Sequence, residues 1–217
     1  MTDINMLESE FKKEWENVGV YHGKSLINNL PSWEHIVHIL NNFIVEDQEK
    51  NPQDIFAPHE IRYKNIVAVK KFLFETGTNE SESDATFFFA LFLDYKNKPL
   101  SIFSKEIRDD IHLIGETLKI DYTFHELKIC LSDKIVPYEF HKNNTYVIQL
   151  QGINEWKLKN TITGLESSYI LEPGDCLFFK EYMPHSLTNK APRSSLIGNF
   201  SLRDEESMWG HDLGGEA

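Results

Sequence analysis

From Tyr122 onward the chain is a succession of short apolar runs broken by polar turns, and this rhythm limits its fold more than any other feature. Candidate strands cover 122–131, 135–141, 144–151, 155–159, 166–172, 175–181 and 194–202. Breaks fall at Asn143-Asn144, Gly152-Ile153-Asn154, Gly164, Pro173-Gly174 and the stretch from Asn189 to Pro192. Short strands at this spacing, punctuated by Gly, Pro and Asn, build an all-β sandwich or barrel.

The first half reads differently. Phe11 and Trp15 are four apart and share one helix face. Ser32 is placed to cap a helix whose apolar stripe is Trp33, Ile36, Val37, Leu40 and Phe43. A short helix is expected within 61–74 and another over 104–118, the latter with Ile107, Ile111, Leu113 and Ile114 inward. Between them, the apolar run 86–95 fits a strand buried on both faces. At 217 residues the chain is long enough for one self-sufficient core. The expected organisation is therefore a single domain over 1–217. It has a helical and mixed part to about residue 120, the strand-rich part over 121–204 and an acidic tail over 205–217.

Thirty-four Asp and Glu against 22 Lys and Arg give a net charge of −12. That field argues against a nucleic-acid partner, since phosphate contacts need cations. No run of eighteen apolar residues suggests a membrane span. The first twenty residues lack the cationic start and apolar centre of a signal peptide, so cytoplasmic residence is expected. Cys130 and Cys176 both sit in apolar runs and read as buried thiols rather than a disulfide.

Glu139 and His141 stand two apart in a predicted strand, which puts both side chains on one face and sends Phe140 the other way, into packing. His185 follows another predicted strand after Pro184, and a barrel could bring all three together. Two imidazoles and one carboxylate make a facial set with open positions on the metal, admissible for iron(II), manganese(II), nickel(II) or zinc(II). Thr145 and Gln149 share the parity of Glu139 and His141, so they are candidate contacts to a bound carboxylate or substrate. Asn199, on the last strand, is a third candidate.

The stretch from Glu139 through Thr145 and Gln149 to Gly152, the Trp156-Lys157-Leu158 strand, and the stretch Leu171-Glu-Pro-Gly-Asp-Cys-Leu-Phe-Phe-Lys-Glu-Tyr-Met-Pro-His185 resemble the cupin superfamily. Within it they are similar to the JmjC-like oxygenases, a group that includes ribosomal-protein and asparaginyl hydroxylases. The resemblance covers residues 135–200. It implies a mostly β fold, a double-stranded β-helix (cupin or jelly-roll barrel) with flanking N-terminal helices. It also implies an iron(II) oxygenase hydroxylating a side chain of a peptide or protein, or a small molecule, with 2-oxoglutarate as cosubstrate.

Two departures bear on these implications. The ligand types are exchanged, with Glu139 in the family's first histidine position and His141 in its acidic one, although the donor count is kept. A competing register would make His141 the first ligand and Asn143 a failed carboxylate. Two residues after Gly152, where several members carry a lysine for the far carboxylate of 2-oxoglutarate, this chain has Asn154. Lys157, Lys180, Arg193 or Arg203 would then have to supply the cation, which leaves 2-oxoglutarate open. Two further functions remain at this stage. One is a cupin isomerase, epimerase or lyase using the metal as a Lewis acid; the other is a non-catalytic binding protein. A homodimer through exposed sheet edges is compatible with the sequence.

Overall fold

The computed structural model describes residues 4–36, 88–93, 103–130, 134–161 and 163–203. Among the described residues, two complete helices, α1 (Ile4–Asn17) and α2 (Lys105–Leu118), accompany eight strands. The strands are β1 (Val20–Gly23), β2 (Phe88–Leu93), β3 (Ile120–Cys130), β4 (Lys134–Glu139), β5 (Asn144–Lys159), β6 (Glu166–Leu171), β7 (Cys176–Phe179) and β8 (His185–Leu202). The helix expected within 61–74 and the acidic tail from 205 lie outside the described residues, as does most of the helix that Ser32 begins. The start of that helix is capped as expected: the His35 N–H donates to the Ser32 hydroxyl at 3.2 Å.

The architecture follows from the two longest strands. β5 and β8 pair antiparallel from Asn144↔Phe200 to Leu158↔His185. Each changes neighbours halfway along. The first part of β5 pairs with β7 and its last part with β6; the first part of β8 pairs with β4 and its last part with β3. One sheet therefore runs β1-β7-β5-β8-β3-β2, and a second is made of β6, β5, β8 and β4. The shared strands turn from one to the other at the register breaks around Gln149, Gln151 and Ile153. This is the mostly β, layered arrangement that the rhythm of short runs pointed to, in the jelly-roll form that the resemblance implied.

Gly152 makes the turn feasible. Its φ is +73°, and a Cβ there would lie 2.3 Å from the Pro192 carbonyl oxygen and 2.9 Å from the Arg193 Cα. Only glycine admits both that backbone conformation and so close an approach of β8. The break signals at Gly152 to Asn154 and at Asn189 to Pro192 thus mark bends inside strands rather than their ends. The two strands expected at 144–151 and 155–159 are one, and the strand expected at 194–202 begins at His185.

Alternation on β5 separates two buried clusters. Tyr146, Ile148 and Leu150 face outward, where Phe11 and Trp15 of α1 and Ile107, Ile111 and Ile114 of α2 cover the large sheet. The Phe11 and Trp15 rings stack at 5.5 Å. Val147, Leu177, Phe179 and Ile197 face inward and meet Trp156, Leu158, Leu171 and Leu187 of the small sheet. At roughly 25 cal/mol per Å² of apolar surface removed from water, these two layers dominate the stabilisation.

Asp175 fixes the turn ahead of β7. Its buried carboxylate accepts from the Ser25 N–H at 2.9 Å, the Glu172 N–H at 3.0 Å and the Lys24 ammonium at 2.7 Å. Burial alone would raise its pKa, but the Lys24 ammonium and the two N–H donors hold the carboxyl below its ordinary value. Cys176 beside it is buried with a free thiol, and burial pushes its pKa up. No helix among the described residues is long and apolar enough to cross a membrane.

Candidate metal centre

The small sheet closes at one end with Glu139, the last residue of β4, directly opposite His185, the first residue of β8. The Glu139 Oε1 lies 3.7 Å from His185 Nε2 and 3.9 Å from His141 Nε2. One ligand atom from each of the three residues falls within 4.8 Å of the others. The imidazole rings of His141 and His185 are 4.8 Å apart. His141 does not share the strand as its spacing suggested. β4 ends at Glu139, and the His141 carbonyl instead accepts from the Tyr182 N–H at 2.7 Å. That bond ties the loop carrying His141 to the turn that leads into His185.

His185 is oriented by its own turn. Its Nδ1 donates to the Met183 carbonyl at 2.9 Å, which turns Nε2 toward Glu139. That Nε2 is buried and has no hydrogen-bond partner. The ring is wedged between Phe179, at 5.0 Å, and Trp156, at 5.7 Å, so it cannot swing away. The site is less enclosed than the sequence suggested. His185 is 1% exposed, whereas Glu139 and His141 are 52% and 46% exposed and sit at the mouth of the barrel.

The electrostatics favour donor forms. The His185 imidazole across the strand pair, with help from His141, draws the Glu139 carboxyl below its ordinary pKa against partial burial. Burial, then the neighbouring His185, keeps the His141 imidazole below its ordinary value despite Glu139, so it is neutral at pH 7. A proton on His185 Nε2 would serve the Glu139 carboxylate as donor, and a metal cation in its place would satisfy both groups. Metal–ligand bonds of roughly 2.0–2.2 Å put neighbouring donors about 3 Å apart. Small rotations of the two exposed side chains would close the remaining gap.

The other expected site residues separate into groups. Thr145 and Asn199 are Cα partners on the inward face, with the Thr145 hydroxyl donating to the Asn143 carbonyl at 3.2 Å. Gln149 and Asn154 lie at the bend, in a buried network. The Gln149 Oε1 accepts from Asn154 Nδ2 at 2.9 Å and from the Ser195 hydroxyl at 2.7 Å, and Arg193 Nη1 donates to Ser195 at 2.8 Å. Asn154 thus holds Gln149 rather than facing the mouth. Lys157 alternates with the buried Trp156 and Leu158 and so points away from the interior; it is not a ligand-binding cation there. Arg203 is committed elsewhere, bidentate to Glu116 at 2.6 and 3.0 Å and bonded to Asp121 at 2.9 Å.

Arg193, one of the four cations the sequence offered, is fully buried on the inward face of β8. Two features around the centre were not read from the sequence. The Met183 carbonyl, which orients the His185 ring, carries no sequence signal. Phe140 was expected in packing but is 62% exposed, because the strand that would have buried it has already ended.

No family model matches the chain, and no curated protein matches it. Among solved structures it is similar to a cupin superfamily protein from Desulfitobacterium hafniense, at 20% identity over 38% of this chain and 68% of that one, with a TM-score of 0.30. It is also similar to a prolyl-4-hydroxylase from Pseudomonas putida, at 12% identity over 91% of this chain and 100% of that one, TM-score 0.47. A third likeness is to an oxidoreductase of the 2OG-Fe(II) oxygenase family from Burkholderia pseudomallei, at 10% identity over 89% of each chain, TM-score 0.47.

Proposed function

We propose that this chain is a metal-dependent oxygenase whose ion, iron(II) by preference, is held by Glu139, His141 and His185, and whose substrate is a side chain of a peptide or protein, or a small molecule. One observation carries the reading: the buried Nε2 of His185, in a ring oriented by its Nδ1 bond to the Met183 carbonyl, is aimed at the Glu139 carboxylate 3.7 Å away and has no protein hydrogen-bond partner. Two imidazoles and one carboxylate suit iron(II) and leave positions open for other ligands. When bound, iron supplies the redox chemistry that activates dioxygen.

The chain's own part is positional. His185 is locked against Phe179 and Trp156, while Glu139 and His141 present donors at the open end where a substrate can arrive. The apolar interior formed by Val147, Leu158, Leu187 and Ile197 keeps water from behind the ligands. 2-Oxoglutarate fits this reading through Arg193 instead of Asn154. A fully buried guanidinium on the inward face, bonded to Ser195, is suited to a carboxylate.

The test is purification without added metal, elemental analysis, and then oxygen uptake with iron in the presence and absence of 2-oxoglutarate. Co-purifying or tightly rebound iron with uptake that depends on 2-oxoglutarate is the expected result. Metal retained without any oxygen consumption would point instead to Lewis-acid chemistry, and absence of metal affinity would remove the reading.

A further inference from the structure

Tyr182 stands in the left-handed backbone region, at φ +57°. Apart from glycine, few residues tolerate that conformation, and a bulky aromatic there is an outlier. The backbone of the turn needs the conformation, because it lets the Tyr182 N–H reach the His141 carbonyl at 2.7 Å while the preceding Glu181 N–H reaches Asn144 Oδ1 at 3.2 Å. Glycine would meet that need without strain. The ring is therefore an addition that the turn does not require, and it is not buried: Tyr182 is 52% exposed.

Among the described residues, the ring has one aromatic companion. Phe140, between the candidate ligands Glu139 and His141, lies 6.4 Å away with the two planes tilted by 40°. Tyr138, on the other side of Glu139, is also exposed, with its hydroxyl donating to Glu166. A cavity of about 650 Å³ adjoins it, lined by Tyr138, Lys159, Glu166 and Pro184 among others. Exposed aromatic side chains thus flank the ligands on both segments that carry them. Formal charge beside the pair cancels, with Lys142 next to His141 and Glu181 next to Tyr182, so neither sign is selected locally. Two adjacent exposed rings at a site mouth offer apolar contact area to a ligand.

We propose that the rings of Tyr182 and Phe140 form the surface on which a neutral apolar group of the substrate rests while the rest of the substrate faces the metal, making Tyr182 a specificity-determining residue. This rests on the oxygenase reading for the location of the substrate. The strain at Tyr182 is kept for the sake of its ring, and the turn that carries the ring is the one that delivers His185. Substrate contact and metal ligation are thereby set by the same few residues.

The test loads the protein with manganese(II) and follows paramagnetic broadening of three soluble probes: N-acetyl-leucine amide, N-acetyl-lysine amide and N-acetyl-glutamate amide. Zinc-loaded protein is the diamagnetic reference. The leucine probe should broaden most. Tyr182→Gly should cut that broadening roughly fivefold, the scale of one lost aromatic contact, with manganese content unchanged and a melting temperature no lower than wild type. Tyr182→Phe should keep the broadening. Undiminished broadening in the glycine variant, loss of its manganese, a lower melting temperature, or equal broadening by a charged probe would each overturn the proposal. Failure of the wild type to hold manganese would instead remove the metal centre itself, and the platform with it.

Discussion

Glu139 and His185 are direct partners across the β4–β8 ladder, the last residue of one strand facing the first of the other. Their donor atoms are 3.7 Å apart although the residues are separated by most of the barrel sequence. Position at a strand end matters here. Side chains within the ladder are held on both sides, whereas those at its end are fixed by pairing yet open toward the mouth. A ligand pair so placed is preorganised in its backbone and free to adjust its side chains around an ion.

Replacing His185 with alanine should abolish metal retention, with a loss of affinity on the order of 100-fold or more, at least matching what losing an outer partner of a ligand costs. The fold should survive, since the ring contributes packing against Phe179 and Trp156 but no ladder bond of its side chain. Elemental analysis beside a thermal melt separates the two effects. Unchanged metal content would take His185 out of the site.

The exchanged order of the ligand types gives a second prediction. Glu139→His and His141→Asp should each weaken metal binding by roughly tenfold or more when made singly, because each disturbs the two-nitrogen, one-carboxylate count. Made together, they restore that count and should recover much of the affinity. Titration with a colorimetric chelator competitor measures all three variants. A double variant no better than the singles would mean that position, not donor count, governs the site.

Asp175 should make the protein acid-sensitive. Its folded pKa is below the ordinary value of about 3.9, so its contribution is fully present above that unfolded value and is lost as pH falls through the lower, folded one. Asp175→Asn should cost about 1–3 kcal/mol near neutral pH by loosening the Lys24 and backbone contacts. It should also flatten the low-pH limb of a plot of melting temperature against pH. Parallel limbs for the two proteins would show that other carboxylates carry the acid response.

Gly152→Ala should be among the more damaging single changes available. The alanine methyl would fall 2.3 Å from the Pro192 carbonyl in a backbone conformation that L-residues avoid. A loss of more than about 2 kcal/mol is expected from the strain and the clash together. Urea unfolding followed by fluorescence measures it, and a loss under half that size would mean the corner yields easily.

Much of this organisation could be read in advance because period-two patterning and turn chemistry are local. The β half, the inward parity of Thr145 and Gln149, and the capping role of Ser32 all depend on near neighbours in sequence. What escaped depends on distant ones. Gly152 and Asn189 look like strand ends until β5 and β8 are seen pairing through them, since continuous ladder bonds outweigh a local break. The end of β4 at Glu139 is set by a bond from Tyr182, and so the exposure of Phe140 could not be foreseen. Arg193 looked like one cation among four until the fold turned Lys157 outward, set Lys180 over the Trp15 ring and tied Arg203 to Glu116.

Because β5 and β8 each belong to both sheets, the layers have no seam along which they could part. Loosening one would drag on the two threads that also stitch the other, so opening should be all-or-none rather than layer by layer. One end of those threads, His185, is a candidate metal ligand, whereas Gly152 lies at the bend inside β5. Changes to the reactive rim can then accumulate without undoing the weave, while a single methyl at that bend would be felt throughout.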